Sequence, residues 1–382
     1  MKNKRKICVA VLSRANYGRV KSVMRAISEH SDLVLQVLTG ASANLERFGN
    51  VANIIEKDGF TIDAKLNFAV EGDSPTVMAK TTGLGIIEIA TALEYLKPDV
   101  VVTVADRYET MSTAIAASYQ NILLAHIQGG EITGSIDESV RHAITKLSHI
   151  HFPCTEKAAQ NLIRMGEDPN FVFNVGCPAM DAFTASHGVD VRLSHLTGTG
   201  YKFGSDEAFN LVVFHPVTTT HTTAGAQTQE LLSAIENLPH PTIWLWPNID
   251  AGTDRISKVL RMWRDENPNG KIRFIKNLPV EEYNQLLQKA KVLIGNSSSF
   301  IREGSYVGAK AIIVGDRQNS REIGQNVLLS ELTSERIIEN YHKICDLHIE
   351  PSDLYGRGNA GEQIAHYLAG ELPSVQKVLS YG

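Results

Sequence analysis

Four cysteines are few for 382 residues, and Cys8, Cys154, Cys177 and Cys345 form no CxxC pair or other ligand spacing. Neither a disulfide framework nor a zinc site is expected. The apolar runs around Cys8, Cys154 and Cys177 fit reduced, buried thiols in a cytoplasmic protein. No charge of one sign dominates either. A net charge of −5 and a pI near 6.2 argue against a general nucleic-acid or anionic-membrane binder, while leaving room for a local basic pocket. Low-complexity tracts are missing. After the basic MKNKRK, the apolar run 7–12 is only six residues and is cut off by Ser13 and Arg14. That is short for a signal sequence and far short of a membrane span, so it reads as a buried first strand.

What the chain does have is rhythm. Its length exceeds what one hydrophobic core usually serves, so two domains are expected. Strand-length apolar runs recur at 6–12, 33–40, 99–106, 121–128, 149–154 and 171–177, with amphipathic helix-length segments such as 18–30 and 83–96 between them. Runs that are apolar on both faces suit parallel strands covered by helices. The pattern restarts at 209–217, 242–248, 271–277, 291–297 and 309–316. The fold class is therefore α/β, with two Rossmann-like doubly wound domains and a central cleft. The expected domains are 1–185 and 186–362, joined through the weakly patterned stretch 185–204. The final segment, 363–382, is expected to cross back onto the first domain.

Such sheets bind ligands at the carboxyl ends of their strands, which directs attention to the polar residues that follow each run. SRANYGR places Arg14 near a helix start, where a guanidinium and free N–H groups favour a phosphate; a solvated loop arginine is the plainer alternative. GNSSSFIREG ends a strand in Ser297, Ser298 and Ser299. Helix capping explains one serine, and an anion cradle explains three. Glu303, a turn later, can accept both hydroxyls of a ribose. Arg317 and Arg321 can meet phosphates or pair with surface acids. His215 and Asn248 directly follow apolar runs. Asp106 ends a strand as either a helix cap or an acid–base group, with Arg107 beside it to keep it ionised. His149 and His151 form an HxH with no third ligand in sight and read as structural.

Residues 126–146, HIQGGEITGSIDESVRHAITK, hold the densest polar chemistry. Ser135 and Glu138 read as a capping box for the helix that follows. That leaves Gln128, Glu131, Asp137 and the Gly-Gly pair to explain, and glycines at a strand end commonly let backbone approach a ligand.

Taken with ADR upstream, HPVTT, PNIDAG, IGNSSSFIREG and RQNSREIGQNV, this stretch resembles the hydrolysing UDP-N-acetylglucosamine 2-epimerases, from Ser13 to about Asn326. The resemblance implies a glycosyltransferase-B-like fold and a UDP-sugar substrate, with no metal or nicotinamide cofactor and no nucleic-acid or membrane partner. It also implies assembly as a homodimer or homotetramer. The implied reaction is elimination of UDP to a 2-acetamidoglucal, then hydration to N-acetylmannosamine. Matched by position, Asp106, Gln128 and Asp137 fall on the family's catalytic carboxylates. Arg14, His215, Ser297, Ser298, Glu303 and Arg321 fall on its nucleotide contacts. Gln128 departs from the pattern, because an amide cannot act as a base, so Asp106, Glu131 and Asp137 all remain open for that role. Related enzymes act on UDP-2,4-diacetamido-2,4,6-trideoxyglucose, and a non-hydrolysing 2-epimerase, a glycosyltransferase or a non-catalytic UDP-sugar sensor are the other readings.

Overall fold

The computed structural model describes residues 4–185 and 191–381. Thirteen strands among them form two sheets. In the first lie β1 (Arg5–Val11), β2 (Leu33–Thr39), β3 (Ala64–Lys65), β4 (Val100–Val104), β5 (Leu123–Ile127) and β6 (Ile150–Phe152). In the second lie β7 (Thr199–Gly200), β8 (Asn210–Val213), β9 (Thr242–Leu245), β10 (Ile272–Ile275), β11 (Leu293–Gly295), β12 (Ala311–Val314) and β13 (Val327–Ser330). The helices are α1 (Arg14–Glu29), α2 (Val51–Lys57), α3 (Pro75–Leu96), α4 (Tyr108–Tyr119), α5 (Asp137–Leu147), α6 (Glu156–Arg164), α7 (Asp181–Ala185), α8 (Ala224–Glu236), α9 (Thr253–Glu266), α10 (Val280–Lys289), α11 (Arg302–Tyr306), α12 (Ser334–Cys345) and α13 (Ala360–Ala369).

The first sheet runs β3-β2-β1-β4-β5-β6 and the second β13-β12-β11-β8-β9-β10-β7, parallel throughout except where β7 adds to the edge of β10. Setting β7 aside, the second order repeats the first. Each sheet therefore has one switch point, between β1 and β4 in one and between β8 and β11 in the other, and a Rossmann-type sheet opens its crevice there. The inner strands are apolar on both faces because helices cover both: Val100, Val102 and Val104 pack on the α1 side and Val101 on the α3 side. This bears out the parallel α/β reading.

One expected element differs. Segment 171–177 forms no strand; only Val172 bridges to His151. Gly176 turns the chain with φ of 82°, its Cα packed against Gly356, and Cys177 N–H donates to the Tyr355 carbonyl, so the segment leaves the sheet. The expected connection 185–204 includes 186–190, which lie outside the described residues, as does the start of the expected second domain at 186. At the far end, α13 lies on α1. Ile364 and Leu368 enter the first core, and the Asp181 carboxylate accepts from Ala360 and Gly361 N–H at 3.0 and 2.7 Å.

Contacts clasp the two sheets across the cleft. Arg107 donates to the Asp250 carboxylate at 3.1 Å and to the Ile249 carbonyl at 2.9 Å. Lys21 pairs with Glu281 at 2.6 Å, and Asp73 accepts from the N–H groups of Gly252 and Asp254 at the start of α9.

Candidate active site

The switch points face each other. After β8, His215 N–H donates to Asn296 Oδ1 at 2.8 Å, and Asn296 Nδ2 returns a bond to the His215 carbonyl at 2.7 Å, tying the β8 and β11 ends together. After β4 and β5, Ala105 and Gln128 take left-handed backbone with φ of 65° and 70°. Such strain in non-glycine residues clusters at functional sites. Here it turns Asp106 out toward the cleft.

Two adjoining cavities fill that cleft. The outer, of about 130 Å³, is lined among others by Arg14, Asn248, Tyr283, Ser297, Ser299 and Glu303. The inner, of about 60 Å³, holds Asp106, Asp137, Arg107, Arg302, Arg317 and Arg321 on its wall. Arg19, His215, Asn248 and Ser297 border both.

The structure thus brings Asp106, Asp137 and His215 together and leaves Gln128 and Glu131 behind them. Asp106 is bonded by Arg141, a fully buried guanidinium. Burial works against its charge, but Arg141, then Arg321 and Arg19, hold Asp106 far below the usual carboxylate range. This corrects the expectation that Arg107 does so. Arg107 instead holds Glu109 at 2.6 Å and Asp250 across the cleft. Asp137 behaves oppositely. Burial, then the charge on Asp106, raise its proton affinity, against a 3.4 Å contact from Arg317. Two neighbouring carboxyls are thereby separated into one locked anion and one readier proton carrier.

His215 accepts at Nδ1 from Asn248 N–H, 3.3 Å away, which leaves its Nε2 as the protonated nitrogen. Burial and the arginines around it, Arg317 and Arg14 first, keep the ring neutral. It is placed as a hydrogen-bond donor and not as a cation.

The capping box is not formed. Ser135 Oγ accepts from Asp137 N–H at 3.3 Å, but Glu138 reaches back to Thr133 N–H at 2.6 Å and forward to Arg141 at 2.9 Å. The glycine pair serves the chain itself. A Cβ on Gly130 would lie 2.2 Å from the Ala158 carbonyl, and one on Gly129 3.0 Å from His126, so close backbone packing, not a ligand, explains both. Glu131 sits behind the cleft, bonded by Arg302 at 2.6 Å and by Arg321. Arg321, which also donates to Gln318 at 2.6 Å, is already partnered before any phosphate arrives.

Gln128 is fully buried, and its amide donates to Cys177 Sγ at 3.1 Å. It lines neither cavity. A Gln128→Met substitution is therefore expected to lower kcat by less than about tenfold, whereas removing a general acid or base costs ~10²–10⁴-fold. Steady-state turnover of the variant decides between the two.

Arg19, Arg302 and Tyr283 line the candidate site and Arg141 bonds Asp106, and none of the four was expected there from the sequence. Arg19 and Arg302 both donate to Ser298 Oγ, at 3.0 and 3.1 Å, and Tyr283 bonds Ser299. Arg19 and Arg302 sit inside the very motifs quoted for Arg14 and Glu303. Arg141 lies one helical turn after Asp137. Their proximity to those residues was the available signal. His149 and His151 are structural: His149 Nδ1 accepts from Leu124 N–H, and His151 faces Glu167 at 2.8 Å.

Two facing Rossmann-like sheets with a cation-rich cleft between their switch points define the glycosyltransferase-B class of fold. Solved structures agree: the UDP-GlcNAc 2-epimerase of Methanocaldococcus jannaschii superposes with a TM-score of 0.79 at 19% identity, over 95% of this chain and 99% of that one. The Neisseria meningitidis enzyme gives 0.77 at 18%, over 95% and 99%. The model of the UDP-N-acetylglucosamine 2-epimerase family matches residues 25–369, and the chain belongs to that family. It is 32% identical, over 98% of both chains, to a Legionella pneumophila protein named UDP-N,N′-diacetylbacillosamine 2-epimerase (hydrolyzing). It is also 33% identical to the Escherichia coli polysialic acid biosynthesis protein P7, over 85% of this chain and 82% of that one.

Proposed function

We propose that the chain is a hydrolysing 2-epimerase that converts UDP-N-acetylglucosamine and water to N-acetylmannosamine and UDP. The observation that carries this reading is the inner cavity, in which Asp106 and Asp137, pushed apart in proton affinity, face a wall of arginines. Uracil and ribose are assigned to the outer cavity, with Glu303, whose Oε2 has no protein partner among the described residues, accepting from the ribose hydroxyls. The diphosphate is assigned to Ser297, Ser298, Arg19 and Arg317, which meet its growing charge as it leaves. His215 Nε2–H donates to a leaving oxygen without giving up its proton.

In the first step a carboxylate takes the C2 proton, the C1–C2 double bond forms and the C1–O bond breaks toward UDP. In the second, a carboxyl gives its proton to C2 from the opposite face and water oxygen bonds to C1. The proton that water gives up passes to the carboxylate so left, while the proton taken in the first step returns to solvent. Inversion at C2 needs a group on each face, and Asp106 and Asp137 supply two. The hydrolysing outcome is supported by the names of relatives from Legionella pneumophila and Campylobacter jejuni, at 32% and 33% identity.

The polar lining of the inner cavity, in which only Ala15 is apolar, supports N-acetylglucosamine as the sugar, since it suits hydroxyls at C4 and C6 better than a C6 methyl. The same two relatives favour the diacetamido sugar as the second reading. Incubating both UDP-sugars with the protein in deuterium oxide tests both points. Free N-acetylmannosamine carrying one deuterium at C2, beside UDP, is expected. UDP release without deuterium at C2 sinks the elimination route, and UDP-N-acetylmannosamine as the product sinks hydrolysis.

A further inference from the structure

Residues 371–381, which follow α13, form neither helix nor strand. Polar contacts tie them to the loops around β6 and α6. His149 Nε2–H donates to the Val375 carbonyl at 3.0 Å, and Ser380 N–H to the Gly166 carbonyl at 2.9 Å. His149 Nδ1 accepts from Leu124 N–H at 3.1 Å, which fixes the tautomer that the first of these bonds needs. Between the two anchors Lys377 turns inward, with 21% of its side chain exposed. Its ammonium donates to the carbonyls of Thr145, Lys146 and Ser148 at 3.0, 3.1 and 2.6 Å. It also pairs with the fully buried carboxylate of Glu167, which Lys146 reaches at 2.8 Å and His151 faces at 2.8 Å.

Those three carbonyls lie at the end of α5, the helix that begins at Asp137. We propose that Lys377 is a positioning residue for the reaction: by binding them it fixes α5 along its axis, and with it the carboxyls of Asp137 and Asp106. The last carbonyls of a helix lack partners within it and point along its axis, so one cation bonded to three of them resists both sliding and fraying. The rest of α5 resists sliding weakly. It has 11 residues, and its buried side chains are Arg141, Ile144 and Thr145. Ile144 is thus its one buried apolar side chain, and apolar packing has no direction of its own.

Two routes lead from this end of α5 to the site. Along the helix, Arg141 bonds Asp106, and Asp137 opens the first turn on the inner cavity, about 12 Å from Thr145. Across it, Thr145 Oγ1 lies 3.4 Å from His126 Nδ1, and His126 Nε2–H donates to the Ala105 carbonyl at 2.8 Å. Ala105 is the left-handed residue that turns Asp106 out of β4. A misplacement of about 1 Å in a reacting group can cost ~10²-fold in rate, so a small slide of α5 is enough to matter. The inference rests on the reading of Asp106 and Asp137 as the reacting carboxyls.

Steady-state turnover of UDP-N-acetylglucosamine and amide hydrogen exchange over α5, both measured well below each variant's melting temperature, test it. Lys377→Met keeps the bulk of the side chain and no donor, whereas Lys377→Arg keeps the charge and the donors. The methionine variant is expected to lose about tenfold or more in kcat and to exchange faster over 137–148. Its KM and its Kd for UDP should stay within about twofold of wild type, because the residues assigned to UDP lie outside α5. The arginine variant should recover most of the lost turnover. Lys377→Gln, with one amide donor left, takes the place of Lys377→Met should that variant not fold. Near-normal kcat in whichever of the two folds, a UDP affinity that falls as far as kcat does, or an arginine variant no better than it overturns the inference. If the wild-type chain releases no N-acetylmannosamine, the epimerase reading fails instead, and unchanged exchange over 137–148 in Lys377→Met still overturns the positioning role.

Discussion

Asp137→Asn is expected to lose ~10²–10⁴-fold in turnover while its fold and UDP affinity stay close to wild type. The amide has the carboxylate's shape and keeps an oxygen for Arg317, now 3.4 Å away, but it cannot take up a proton. Stability should not fall. Asp137 is a carboxyl whose proton affinity is raised in the fold, so its charge is disfavoured there relative to the unfolded chain. Its cost to the fold is present at neutral pH and vanishes as pH drops through its raised pKa. Removing the charge therefore leaves the melting temperature equal or slightly higher at pH 7.

Asp106→Asn should do the reverse. Its affinity is depressed by Arg141, so its contribution is present above the ordinary aspartate value near 3.8 and is lost as pH falls below it. The variant loses stability at pH 7 because Arg141 stays buried without its anion. Opposite shifts in melting temperature, measured side by side at pH 7, distinguish the two carboxyls. If Asp137→Asn turns over at near-normal rate, Asp137 is only a helix-start residue.

The contrast explains which parts of the site were legible in the sequence. Strand ends were legible because parallel strands buried on both faces give unbroken apolar runs, and the residue that ends each run is fixed by the sheet to face the crevice. Asp106, His215, Asn248 and Ser297 follow from that rule. Edge strands β3, β7 and β13 are short or less buried and left no such run. Partners were not legible. Arg107 and Arg141 both lie near Asp106 in sequence or motif, but adjacent side chains point different ways. It is Arg141, 35 residues on, that α5 brings back to Asp106. Arg107 is drawn across the cleft by Asp250, 143 residues away. The capping box failed for the same reason: Arg141 and Thr133 compete for Glu138, and a fully buried guanidinium needs the carboxylate more than a helix end does.

Glu131→Ala is expected to destabilise the protein by about 3–5 kcal/mol, the usual consequence of removing one partner from a buried ion pair. Arg302, in α11, and Arg321, in the loop between β12 and β13, are both buried, and both direct a guanidinium nitrogen at Glu131 Oε2. Burial, then Arg302, already pull Arg321 down to about 10, so deleting the shared anion leaves two crowded, buried cations without it. Burial opposes the charge on Glu131, yet Arg302 and Arg321 bring its pKa down to about 2 from an ordinary 4.5. A depressed carboxyl stabilises the fold above its unfolded value and stops doing so as pH falls through its folded one. The gap between wild type and Glu131→Ala in urea unfolding should therefore be full at pH 7, begin to shrink below about 4.5 and close near 2. Adding Arg321→Met to Glu131→Ala removes one stranded cation, so the double variant should be less destabilised than the sum of the two single changes. A loss below about 1 kcal/mol at pH 7, or strict additivity, shows that water reaches these arginines. In that case Glu131 does not join the two domains, and the clasp rests on Arg107 and Asp250 instead.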